Sequence, residues 1–171
     1  MRKLITVLTF FLLFLVPSRA DDVVAFRHYT TADGLSSNQI NAVYRDSKGI
    51  LWVGTSAGLD RYDAYRFNTY SEEDGLPGLY VTRLSEDTQG QIWLYTTQGV
   101  ACYSYEQDRF LSPEEGLRPM GIRASAPSLF GGSPDHSYFW VAEDRVLSVY
   151  SAAQKRVMTF SITAANTQSC A

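Results

Sequence analysis

Residues Asp46 to Asp63 read DSKGILWVGTSAGLDRYD, three acids and three glycines around one tryptophan. Closely spaced carboxylates can hold a cation or share acid and base roles in glycosidic cleavage. A calcium loop needs oxygen ligands at alternating positions, and DSKG does not supply them. Glycosidic cleavage needs two placed carboxylates, and the arginines that would hold an acidic sugar, Arg83, Arg109, Arg118 and Arg123, show no spacing that ties them to an acid pair. His28 and His136 stand far apart, and Cys102 and Cys170 lack a CxxC partner, so neither a zinc pattern nor a histidine base emerges. The residues assign no catalytic group, no cofactor and no metal.

The stretch explains itself when the chain is shifted so that Asp46 falls on Asp87. Asp46, Gly49, Trp52, Thr55, Gly58 and Tyr62 then recur as Asp87, Gly90, Trp93, Thr96, Gly99 and Tyr103 in DTQGQIWLYTTQGVACYS. FRHYTTADGL from Phe26 matches FNTYSEEDGL from Phe67, and EGL recurs at Glu115 to Leu117. A third, degraded copy, FWVAEDRVLSVY, keeps the distance from Trp140 to Tyr150, with Glu143 in place of the threonine. A period of about 40 residues is that of one four-stranded propeller blade.

The elements that must position these residues are short and evenly spaced. QINAVYR, ILWVGT, GLDRY and RFNTY read as four strands within one period, separated by Gly, Asp or Ser, with no competing amphipathic helix. The expected fold is all-β, with propeller blades of four antiparallel strands. Blade 1 is expected over 39–70, blade 2 over 80–111 and a degenerate blade 3 over 122–162, followed by a tail at 163–171. A lone strand at 24–29 matches the last strand of a preceding blade. Asp46 and Asp87 are assigned to turns, with the glycine beside each supplying positive φ, and the tryptophans to the gaps between blades.

Composition bounds the rest. Hydrophobic residues make up 45% of the chain and charged ones 19%, the balance of a folded domain. Arg2 and Lys3 precede an apolar run from Leu4 to Val16 and the small residues Ser18 and Ala20, which reads as a signal peptide over 1–20. Membrane attachment is expected only through that segment if it is left uncleaved. Cleavage would remove three of 15 bases and none of the 18 acids, moving the formal charge from −3 to −6. Such a chain is a poor partner for nucleic acid. Export would also permit a Cys102–Cys170 bridge, which the sequence leaves open.

DGLSSNQINAVYRDSKGILWVGTSAGLDRYD, from Asp33 to Asp63, closely resembles the two-component regulator propeller repeat of the periplasmic sensor regions of hybrid two-component histidine kinases. The resemblance extends over roughly 26 to 160. It implies a seven-bladed propeller, an extracytoplasmic location and an oligosaccharide ligand that drives a kinase. The sequence carries no kinase histidine box and no ATP-binding glycines, so signalling is not implied for these residues alone.

Three blades and a lone strand do not close a ring of the usual four to eight blades. The expectation is therefore a periplasmic, non-catalytic sensor segment, an N-terminal piece of a larger protein that needs other blades or self-association to complete it. The alternatives are an envelope scaffold that binds proteins and, third, a glycosidase or lyase propeller. Asp60 and Asp63 become Ala101 and Ser104 in the second copy, so the repeat does not require them. With Tyr65, Tyr80, Tyr95 and Tyr105, whose rings could stack on sugars, they are the candidate ligand-binding residues.

Overall fold

The computed structural model describes residues 26–161. The expected signal peptide, the tail and Cys170 lie outside that range. Three four-stranded antiparallel sheets follow one another along the chain. The first holds β1 (Ile40–Arg45), β2 (Leu51–Thr55), β3 (Leu59–Tyr62) and β4 (Phe67–Tyr70). The second holds β5 (Val81–Glu86), β6 (Ile92–Thr96), β7 (Gly99–Ser104) and β8 (Arg109–Leu111). The third holds β9 (Leu129–Gly132), β10 (Tyr138–Glu143), β11 (Val146–Ser151) and β12 (Arg156–Ser161). Each sheet is one blade of an incomplete propeller. Among the described residues no helix is long and apolar enough to cross a membrane.

The repeat register is kept in space. Trp52 pairs with Arg61, Trp93 with Cys102 and Trp140 with Val149, one tryptophan on the second strand of every blade. Each of the first two fills the seam to the next blade, as large side chains between stacked sheets should. The Trp52 ring lies 5.2 Å from Tyr103 and 6.2 Å from Tyr105 of blade 2, and Trp93 lies 5.4 Å from Phe139 and 5.9 Å from Phe130 of blade 3. Both indoles are fully buried.

The connectors between blades explain the DGL and EGL motifs. Thr30 and Asp33 cap the 3-10 turn Thr31–Asp33, Ser71 and Asp74 cap Glu72–Asp74, and Ser112 and Glu115 cap the short helix α1 (Pro113–Leu117). In each the side-chain acid reaches back to the cap N–H, a reciprocal pair that starts a helical turn. Gly34 and Gly75 then take φ of 102° and 100°. That conformation favours glycine. The leucine that follows, Leu35, Leu76 or Leu117, is buried in the core.

Two expectations change. Residues 26–30 form no strand, and 24 and 25 lie outside the described range, so no lone strand is seen. Tyr29 nonetheless sits where a preceding blade would put it. Its ring lies 5.2 Å from Tyr62 and 5.4 Å from Phe67, matching the contacts of Tyr70 with Tyr103 and Phe110 at 5.7 and 5.3 Å. The third blade starts at Leu129, not near 122, because the preceding connector is longer; Ile122 and Ala124 in that connector are buried against Trp93 and its neighbours.

Candidate functional site

The acids of the opening motif are committed to the fold. Asp46 Oδ1 accepts the backbone N–H groups of Lys48 and Ile50 at 3.0 and 2.9 Å, and Oδ2 accepts the Trp52 indole N–H at 2.9 Å. Asp87 repeats this set with Gln89, Gln91 and Trp93 at 2.8, 3.0 and 2.8 Å. Asp60 is fully buried in β3, where Oδ2 accepts the Ser36 N–H and hydroxyl and Oδ1 the Thr69 hydroxyl, at 3.0, 2.7 and 2.6 Å. Asp63 accepts the N–H groups of Tyr65 and Arg66 in the β3–β4 turn, and these bonds, Arg66 first, hold its carboxyl below the ordinary range.

The candidate tyrosines separate by place. The Tyr105 hydroxyl donates to Asp46. Its ring receives Lys48 Nζ at 3.3 Å and the Arg61 guanidinium at 5.3 Å, two cations against one ring. Burial and the bond to Asp46 push its phenol up. Tyr65 is 92% exposed at the tip of the β3–β4 turn. Tyr80 begins the opposite rim, where its hydroxyl accepts from the Gln39 amide at 3.3 Å. Tyr95 lines two cavities.

One cavity of about 280 Å³ is bounded by Thr82, Arg83, Tyr95, Ser128, Leu129 and Phe130. A second of about 590 Å³ continues past Tyr95 and Ser128 to Gln98, Pro113 and Pro127. Together they form one groove along the seam between blades 2 and 3, on the rim of the connectors. At the corresponding place between blades 1 and 2 the two blades are in direct contact.

In blade 1 the position of Tyr95 belongs to Gly54. A Cβ on Gly54 would lie 2.7 Å from Val81 Cγ1, so Val81 packs directly against bare backbone. Asn41, left out of the ladder by a register shift between Ile40 and Ala42, donates its amide to Val81 O at 3.1 Å and ties the blades together. The same shift lies between Val81 and Arg83 in blade 2, where Thr82 takes the place of Asn41. Thr82 Oγ1 donates instead to Tyr95 O of its own blade, at 3.2 Å. That rim of the second seam thus loses its tie and gains a phenol.

The other rim of the second seam stays shut. Gly132 N donates to Ser85 Oγ at 3.0 Å, and its Cα approaches Glu86 O so closely that no Cβ would fit. Glu86, buried beside it, accepts the Ser47 N–H of blade 1 at 2.8 Å and lies 3.7 Å from His136 Nε2 of blade 3. The seam is pinned at Glu86 and splayed at Tyr95.

Arg83 and Tyr95 are register partners and share a face of the sheet. Ser128 is held by its N–H and hydroxyl on Ala142 O at 2.9 and 3.1 Å, leaving oxygen lone pairs to accept. Of the groove residues, Tyr95 is legible in the sequence as a departure from the repeat. Thr82, Ser128 and Leu129 are not, because their role depends on the path of the 121–128 connector. Among the described residues no group of three or more potential metal ligands is found.

Residues 34–57 match the family described as the two component regulator propeller, over the first copy of the repeat. No curated protein matches the chain. Among solved structures, the extracellular domain of a hybrid two component system from B. thetaiotaomicron is similar at a TM-score of 0.55 with 23% identity, over 79% of this chain and 20% of that one. A second such extracellular domain from B. thetaiotaomicron gives 0.41 with 15% identity, over 77% and 25%. Virginiamycin B lyase from Staphylococcus aureus gives 0.44 with 14% identity, over 73% and 42%. The first of these supports the blade fold; the chain spans about a fifth of its length.

Proposed function

We propose that this chain is a non-catalytic segment of an extracytoplasmic sensor propeller, exported to the periplasm, and that it binds an oligosaccharide in the groove between blades 2 and 3. The observation that carries the reading is Tyr95. It replaces the glycine that seals the first seam. Tyr95 is half-buried against the Trp93 cluster, and the rest of its ring borders a groove with hydroxyl and amide groups, the mix that a sugar ring requires. The two cavities are lined by no carboxylate, which suits binding better than the acid pair of a glycosidase. The repeat at 34–57 and the likeness to the extracellular domain of a hybrid two component system support the sensor setting, in which these blades form one part of a larger ring.

Titration calorimetry of the chain against a polysaccharide panel tests this. Saturable heat that disappears in Y95A is expected. Heat unchanged in Y95A, or none with any polysaccharide, removes the groove as a site.

A second reading, a protein-binding scaffold, is favoured by the outer face of blade 3, where Leu129, Met158 and Phe160 are exposed. Capture of an envelope protein by the wild type and its loss on replacing Phe160 would support that reading over the first.

A further inference from the structure

Resting on the saccharide reading above, we infer that the groove selects a saccharide carrying a carboxylate, with Arg83 as the residue that receives it. Arg83 is the one charged residue lining either of the two cavities. It is exposed on the inner strand of blade 2 and has no ion-pair partner among the described residues, whereas Arg66 and Arg109 are paired with Asp63 and Glu115. Its register pairing with Tyr95 places cation and ring on one face of the blade. A pyranose stacked on Tyr95 would present an equatorial substituent to its side, where a guanidinium can take a carboxylate through two parallel N–H bonds.

The surroundings agree. The remaining lining offers Thr82, Ser128, Thr97 and Gln98 to sugar hydroxyls, and Pro127 as an apolar edge. A third cavity of about 420 Å³ continues the track through Ser125 and adds Arg118 and Arg123. Its acids are Glu114 and Glu143, and Glu143 Oε1 already accepts the N–H groups of Ser125 and Ala126, at 2.9 and 2.5 Å. In a chain of net charge −3, a groove whose own lining charge is a single cation departs from the average surface.

The test uses the full chain and three probes: a hexuronate trisaccharide, the same trisaccharide with its carboxyls reduced to alcohols, and a sulfated neutral trisaccharide. Calorimetry should show the uronate bound about tenfold more tightly than the reduced form, in line with a charge-assisted bidentate contact. R83Q should bring the uronate down to the level of the reduced form and leave the latter unchanged, and R83K should fall between them. Because Arg83 is exposed, R83Q should melt with the wild type. Equal binding of uronate and reduced sugar, or an R83Q that keeps the tenfold ratio, overturns the carboxylate assignment while the saccharide reading survives. Binding of the sulfated probe alone overturns it too. Failure of all three probes to bind the wild type removes the saccharide reading itself.

Discussion

Trp52 and Asp46 form the unit on which the blade is built: the indole N–H meets a carboxylate oxygen at 2.9 Å while the other oxygen closes the β1–β2 turn. A single side chain thus fixes a hairpin and aims a tryptophan into the seam. The same unit, Asp87 with Trp93, stands one repeat later at 2.8 Å. Blade 3 has no aspartate six residues before Trp140, and there the tryptophan is only partly buried.

Removing that carboxylate should cost much more than a surface substitution. D46A removes the acceptor of the Lys48 and Ile50 N–H groups and of the Tyr105 hydroxyl, and leaves the buried indole N–H only its longer bond to Tyr105, at 3.3 Å; each such loss costs about 1–3 kcal/mol and the losses are not additive, so a total of about 3 kcal/mol is expected. D46N keeps an acceptor for the turn and should fall between. Urea denaturation followed by tryptophan emission measures both, and a D46A cost under about 1 kcal/mol would show that the turn holds without it.

Gly54 and Val81 make a second, sterically coupled pair across the first seam. G54A sets a methyl 2.7 Å from Val81 Cγ1. Overpacking of that kind should destabilise by about 1–3 kcal/mol. V81A leaves a cavity and costs about as much again. Because the new methyl occupies part of that cavity, the double variant should be more stable than the sum of the two losses predicts. Strict additivity in a denaturation cycle would mean that the seam relaxes around the added methyl.

Two aspartates should titrate in opposite directions. Asp87 is buried, and desolvation raises its carboxyl above the ordinary value despite the bonds from Trp93, Gln91 and Gln89. A raised acid favours the fold fully below its unfolded pKa and loses that contribution as pH rises through the folded value. Asp135, exposed, is lowered to about 2 by the hydroxyls of Ser133 and Ser137. Its contribution is present above the unfolded value and is lost as pH falls through about 2. Carboxyl-carbon NMR titration separates the two, and a common midpoint in the ordinary range would contradict both.

What is legible in the sequence is what the chain repeats. Asp46, Trp52, Gly58 and the capping acids recur at a fixed spacing, and each serves a local contact within six residues or a seam that every blade shares. Asp60 is not legible, since its partner Ser36 lies 24 residues away on the preceding connector. The groove is half legible. Tyr95 stands out against Gly54 by alignment, but the gap around it opens only because Thr82 bonds within its own blade and the 121–128 connector carries Ser128 across the rim.

Among the described residues no blade follows Trp140. Trp52 and Trp93 are covered by the aromatics of the following blade, whereas Trp140 shares its face through register with Val149, Met158 and Gly131, and Leu147 and Phe160 continue that face. Met158 and Phe160 are exposed, Phe160 at 52%. This face is apolar and carries the tryptophan of its blade, as the faces at the two filled seams do, so in a solution of the chain alone the available occupant is a second copy. Light scattering should report concentration-dependent association, and M158K/F160K should reduce it by placing two like charges on the face while leaving both filled seams intact. A monodisperse monomer with a cooperative melt in the wild type would show that the face is stable in water, and with that the expectation of association falls.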